Sequence, residues 1–192
     1  MIGLSIDPGK NNGICLFYYG DEGFEVVKLW QFLGGAERLH QWLNGHVSMH
    51  DVVGASTPIV VKVDVDGDEA YALSTLVVEK FTPHDNEGFS LTLDSVEPLV
   101  GEGVLIAHNL KQFIIWRQPS QQYFMGPSTN PLPVKKKLAK EFLETNDLLP
   151  KGSEFAYEDA NDAISATLHA IAWLRKIKHM PTINQLFPES RG

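Results

Sequence analysis

Four carboxylates in this sequence stand where phosphate chemistry would need them. Asp7 directly follows the apolar run IGLSI and precedes Pro8 and Gly9, so a strand holds its carboxylate while the turn leaves space in front of it. Glu79 closes a second apolar run, LVVE, where a charge on an otherwise buried element demands an explanation. Asp159 and Asp162 sit at the start of a helical pattern with a spacing that puts both on one face, and a helix N-terminus favours negative charge. Taken singly, each has a structural explanation: Asp7 as a turn residue, Glu79 as a lysine partner, Asp159 as a helix cap. As an ordered set they offer the hard oxygen ligands that a two-metal phosphoryl-transfer site requires, with its ions roughly 3.5–4 Å apart.

The elements that must position these residues are written in the apolar spacing. Residues 2–6, 13–19 and 24–30 read as strands of β-branched and aromatic residues, with Gly20-Asp21-Glu22-Gly23 as a hairpin turn. From Gly34 the spacing turns helical, with Ala36, Leu39, Trp42 and Leu43 on one face, and it ends near Gly45. Residues 74–81 form a further strand. Ser95 is placed to cap a helix running to about Leu110, with Pro98 in its first turn, and 113–116 is the fifth strand. The proline-punctuated loop 126–133 leads into the basic helical segment VKKKLAKEFL. A last helix spans Glu158 to Lys178, its stripe formed by Ile164, Leu168, Ile171 and Leu174. The pattern predicts a single α/β domain over 1–192 built on a five-stranded mixed sheet flanked by helices. Residues 47–72 are expected as an inserted hairpin and 180–192 as a C-terminal tail. Asp64, Asp66 and Asp68 approach the spacing of a calcium loop, but Glu69 and Thr75 replace its glycine and its glutamate, so an acidic solvated turn is expected.

Bulk properties narrow the function classes. The chain has 192 residues, 43% of them hydrophobic, enough for one substantial core. No stretch approaches the roughly 20 apolar residues of a membrane span, so no membrane partner is expected. The single cysteine, Cys15, excludes an intrachain disulfide and a thiolate zinc cluster, fits a reducing cytoplasm, and reads as a small buried strand residue. The net charge of -8 argues against a nucleic-acid partner, yet it divides unevenly. Residues 1–100 carry 5 Lys+Arg against 15 Asp+Glu, and residues 101–192 carry 11 against 9. A locally basic path and metal-neutralised carboxylates would reconcile an acidic total with DNA.

The ordered set resembles a known family. IDPGKNNGI (6–14) is similar to the opening of RuvC Holliday junction resolvases, VVEKF (77–81) to their second acidic strand, and DANDAISATLHAI (159–171) to their closing helix with its D-A-x-D-A motif. GEGVLIA (101–107) resembles a glycine-containing stretch of their middle helix, and the likeness spans nearly the whole chain except 47–72. The resemblance implies a ribonuclease H-like fold, a homodimer, two Mg²⁺ or Mn²⁺ ions per site, and paired nicking of four-way DNA junctions to leave 5′ phosphates. It assigns the catalytic and metal-binding roles to Asp7, Glu79, Asp159 and Asp162, with Asp7 between the two metals. Phe81 matches the placement of an aromatic that wedges between bases at the junction centre; core packing at a strand end is its other reading. The family contacts phosphate with lysines at two places. At the first this sequence departs, offering Gln121 and Gln122; at the second it has Lys135, Lys136 and Lys137, otherwise a solvated helix face.

The resemblance also implies a bacterial cytoplasmic setting, a phage-encoded member included. Rival readings are a related nuclease acting on other branched DNA or on ribosomal RNA precursors, and a non-catalytic junction- or RNA-binding relative. An actin-like ATPase or sugar kinase is a further rival, but its second glycine-rich phosphate loop and adenosine-binding glycine pair are not found in the sequence.

Overall fold

Alternating apolar residues and two short turns build the first half of the molecule. β1 (Ile2–Asp7), β2 (Asn11–Gly20) and β3 (Gly23–Leu33) form an antiparallel meander in which Ile6 pairs with Ile14 and Ile14 with Trp30. This computed structural model describes residues 1–49, 58–80, 93–108, 110, 115–118, 131–149, 154–155 and 161–180. Helix α1 (Gly35–His46) follows β3. Its entry needs two left-handed residues, Gly34 at φ 103° and Gly35 at φ 56°, a region that side chains with a Cβ rarely adopt. Both glycine N–H groups donate to the Lys10 carbonyl, which ties this corner to the turn behind Asp7.

Strands β4 (Val47–Met49), β5 (Ile59–Lys62) and β6 (Ala70–Ala72) make a separate antiparallel sheet in the order β4-β5-β6. The acidic turn behind β5 is tethered, because Asp64 Oδ1 lies 3.2 Å from Nζ of Lys28, a lysine of β3 that is otherwise buried and needs a partner there. The chain then returns to the main sheet as β7 (Thr75–Glu79), parallel to β1 with Ile6 opposite Val78. Helix α2 (Leu93–Ala107), strand β8 (Ile115–Gln118), helix α3 (Leu132–Thr145), strand β9 (Glu154–Phe155) and helix α4 (Asn161–Ile177) complete the order.

The main sheet runs β8-β7-β1-β2-β3-β9, with β8 parallel to β7 and β9 parallel to β3. It is a mixed sheet in an α/β fold, consistent with the ribonuclease H-like plan that the resemblance implies. Among the described residues the main sheet has six strands where five were expected, since β9 is only two residues long and too short to leave a periodic signal. Ser95 does not cap α2, because the helix already includes Leu93; Pro98 therefore lies inside it and forfeits one helical hydrogen bond. Among the described residues no helix is long and apolar enough to cross a membrane.

The two faces of the sheet bury different layers. Leu4, Ile6, Ile14, Trp30, Leu76 and Val78 pack with Leu39, Trp42, Leu43 and Leu105 of α1 and α2. Cys15, Phe17, Leu29 and Val77 pack on the opposite side with Ile164, Leu168, Ile171 and Leu174 of α4 and with Leu143 of α3. Burying each aliphatic side chain of that stripe contributes about 1.5–3 kcal/mol. Because side chains alternate along a strand, Asp7 lies on the face opposite Ile6 and Glu79 on the face opposite Val78. Both therefore face α4.

Candidate metal centre

Register brings the first two carboxylates together. Ile6 of β1 and Val78 of β7 are paired, so the next residue of each strand, Asp7 and Glu79, ends a neighbouring parallel strand on the same side. One oxygen from each carboxylate and one ring nitrogen of His169 lie within 4.8 Å of one another. His169 Nε2 is 3.8 Å from Glu79 Oε1 and 3.3 Å from Ser165 Oγ.

Helix α4 is aimed at this corner by two contacts. Gln31 Oε1, from β3, accepts hydrogen bonds from the N–H groups of Asp162 at 2.7 Å and Ala163 at 3.2 Å, satisfying two donors of the helix N-terminus. Gly13 of β2 lets that backbone approach: a Cβ there would lie 1.9 Å from the Asp162 carbonyl oxygen and 2.1 Å from its carbon. With the helix so placed, Asp162, Ser165 and His169 come to one helical face.

The electrostatics are those of a crowded anionic site. Burial first, then a hydrogen bond shared with Glu79 and the charge of Glu79, hold the Asp7 carboxyl well above the usual carboxylate range; a hydrogen bond with Ser165 works the other way, and the charge of Asp162 adds least. His169 moves oppositely: burial lowers it to about 4, although the Glu79 charge favours its protonated form. The ring is therefore neutral at neutral pH and does not relieve the carboxylates. Hard oxygen donors that repel one another, beside a neutral imidazole, form a donor set that suits a divalent cation.

No protein-family model and no curated protein matches the chain. Solved structures do. The chain is similar to RuvC of Thermus thermophilus, at 10% identity and a TM-score of 0.49 over 93% of this chain and 97% of that one. The same protein in complex with a Holliday junction substrate is similar at 8% identity and a TM-score of 0.47, over 92% and 96% of the two chains. The chemistry of the site rests on its own residues.

Of the residues singled out from the sequence, the structure brings Asp7 and Glu79 together and puts Asp162 near enough to act on Asp7. Asp159, Phe81, Gln121 and Gln122 lie outside the described residues. The three lysines of α3 separate: Lys136 and Lys137 are exposed, with Lys137 Nζ 3.6 Å from Glu141 Oε1, whereas Lys135 is buried at 7% exposure. Helix α3 turns Lys135 inward along with Ala139 and Leu143. His169, Ser165, Gln31 and Gly13 were not singled out from the sequence. His169 had a signal, since it lies two helical turns beyond Asp162 on the same face. Gln31 had a weaker one, as a lone amide within the apolar strand KLWQFL.

Proposed function

We propose that this protein is a divalent-metal-dependent endonuclease that hydrolyses phosphodiester bonds in branched DNA, four-way junctions above all. One observation carries the reading: Asp7 and Glu79 end adjacent parallel strands side by side, and an oxygen of each lies within 4.8 Å of a ring nitrogen of His169. The substrate class rests on the ordered resemblance of residues 6–14, 77–81 and 159–171 to RuvC resolvases. When bound, Mg²⁺ or Mn²⁺, two per site, supplies a water of lowered pKa and neutralises charge that builds on the phosphate.

The chain's own residues do the rest. Asp7, Glu79 and Asp162 hold the cations, with Asp159 assigned to the same set. Ser165 orients the Asp7 carboxylate through its hydrogen bond. Gln31 fixes the helix end that carries Asp162. Lys136 and Lys137 offer exposed positive charge for the DNA backbone. A homodimer presents two such sites to two equivalent strands, which makes paired incision with 5′-phosphate products a matter of symmetry. The buried Cys15 thiol, pushed up to about 12 by burial, is unreactive and serves as core packing.

The test incubates the protein with a mobile four-way junction, a flap and a linear duplex, in Mg²⁺ or in EDTA, beside Asp7→Asn. The expected result is metal-dependent cutting that favours the junction and is lost in the variant. Equal cutting in EDTA, or equal cutting by Asp7→Asn, refutes the reading.

A further inference from the structure

Helix α4 contributes to the acidic corner a side chain that an all-oxygen site has no use for. His169 is completely buried. An imidazole so placed normally finds hydrogen bonds for both nitrogens. Here Nε2 turns toward the carboxylates, 3.3 Å from Ser165 Oγ and 3.8 Å from Glu79 Oε1, while Nδ1 has no partner among the described residues. No hydrogen bond at Nδ1 dictates which nitrogen carries the proton, so Nε2 can present its lone pair to the space it shares with Asp7 and Glu79 once the Ser165 hydroxyl rotates away from it. The ring cannot withdraw from that space either. Gly13 lets α4 lie directly on β2, and Gln31 bonds the helix end, so His169 is held two turns along a helix fixed against the sheet.

We propose that His169 is a nitrogen ligand within the metal centre and biases it toward first-row transition ions, Mn²⁺ among them, over Mg²⁺. The inference rests on the metal-centre reading above and names the ion that the same site prefers. Mg²⁺ gives up its waters reluctantly and takes oxygen donors, so a buried imidazole adds little to its binding. Affinity at sites that include nitrogen rises along the first-row series from Mn²⁺ upward, and imidazole is a ligand that those ions accept. One imidazole added to the carboxylates therefore separates ions that carboxylates alone would treat more evenly.

The experiment uses the full chain with Mn²⁺ as the probe. Pulsed electron paramagnetic resonance reads coupling between the Mn²⁺ electron spin and directly bound ¹⁴N. The wild type is expected to show imidazole nitrogen coupling that is absent in His169→Gln and retained in His40→Gln, a substitution on α1 away from the site. In competition, the excess of Mg²⁺ needed to displace Mn²⁺ should fall by about tenfold or more in His169→Gln, the scale on which metal sites respond to the loss of a single partner. The wild-type spectrum decides the matter even if the variant folds poorly. Bound Mn²⁺ without nitrogen coupling, or coupling that survives His169→Gln, overturns the inference while the metal centre stands. Wild-type protein that binds no Mn²⁺ overturns both.

Discussion

Gly13→Ala tests whether the placement of one helix assembles the site. The added Cβ would meet the Asp162 carbonyl oxygen at 1.9 Å, its carbon at 2.1 Å and the Ala163 nitrogen at 2.6 Å. All three are backbone atoms, so no rotamer change relieves the clash. Reaching ordinary van der Waals contact at 3.4 Å requires about 1.5 Å of movement of α4 away from β2. That movement exceeds the slack in the Gln31 hydrogen bond to Ala163, already 3.2 Å long, and carries Asp162, Ser165 and His169 outward together. Overpacking of this kind costs about 1–3 kcal/mol, and the lost Gln31 bonds add to it. Urea unfolding should show that loss. Isothermal titration with Mn²⁺ should show affinity weakened beyond what the smaller folded fraction explains, because ligands on α4 have moved relative to those on β1 and β7. A variant with wild-type stability and wild-type metal affinity would refute the argument that Gly13 sets the position of α4.

Asp7→Asn should cut junctions at least about a thousandfold more slowly, on the scale of other metal-site losses, and bind them in EDTA as tightly as the wild type or tighter. The same variant should be more stable than the wild type without metal at neutral pH, since it removes a carboxyl whose ionisation the fold resists; gel assays and thermal melts check both. Gln31→Met keeps the bulk but leaves two helix N–H groups unbonded, and urea melts should show a loss of about 1–3 kcal/mol. The His169 ring takes up its proton only near pH 4 when folded but at its ordinary 6.5 when unfolded, so its contribution is full above 6.5 and is lost as the pH falls toward 4. Melts in EDTA across that window should show a decline of up to about 3 kcal/mol in the wild type that His169→Gln lacks. Replacing Lys136 and Lys137 by alanine should lower the salt-dependence slope of junction binding by about one unit per lost phosphate contact; Lys135→Ala should instead reduce stability, and an unchanged slope in the double variant would leave α3 outside the DNA path.

Local pattern was enough for the strands of the meander, for β7, and for most of α1, α3 and α4, because a period of 2 or 3.6 is carried by neighbours in the chain. The same pattern put Asp7 and Glu79 at strand ends and Asp162 at a helix start. Short or distant pairing left no such trace. The two-residue β9 and the three-stranded arrangement of β4, β5 and β6 depend on partners supplied by the rest of the fold. Lys135 sits in a run of three identical residues, and only the packing of α3 decides which one turns inward.

The sequence by itself determined which carboxylates end which elements, since a charge at the close of an apolar run is visible wherever the strand goes. Only the tertiary structure decided that those ends meet. The parallel register of β1 and β7 set Asp7 beside Glu79, and the close approach of α4 at Gly13, capped by Gln31, carried Asp162 and His169 to them. That approach is a contact between residues 13 and 162, far apart in the chain, and it exists because a missing Cβ leaves room for a backbone. A glycine in a strand announces flexibility or space, not what will fill it.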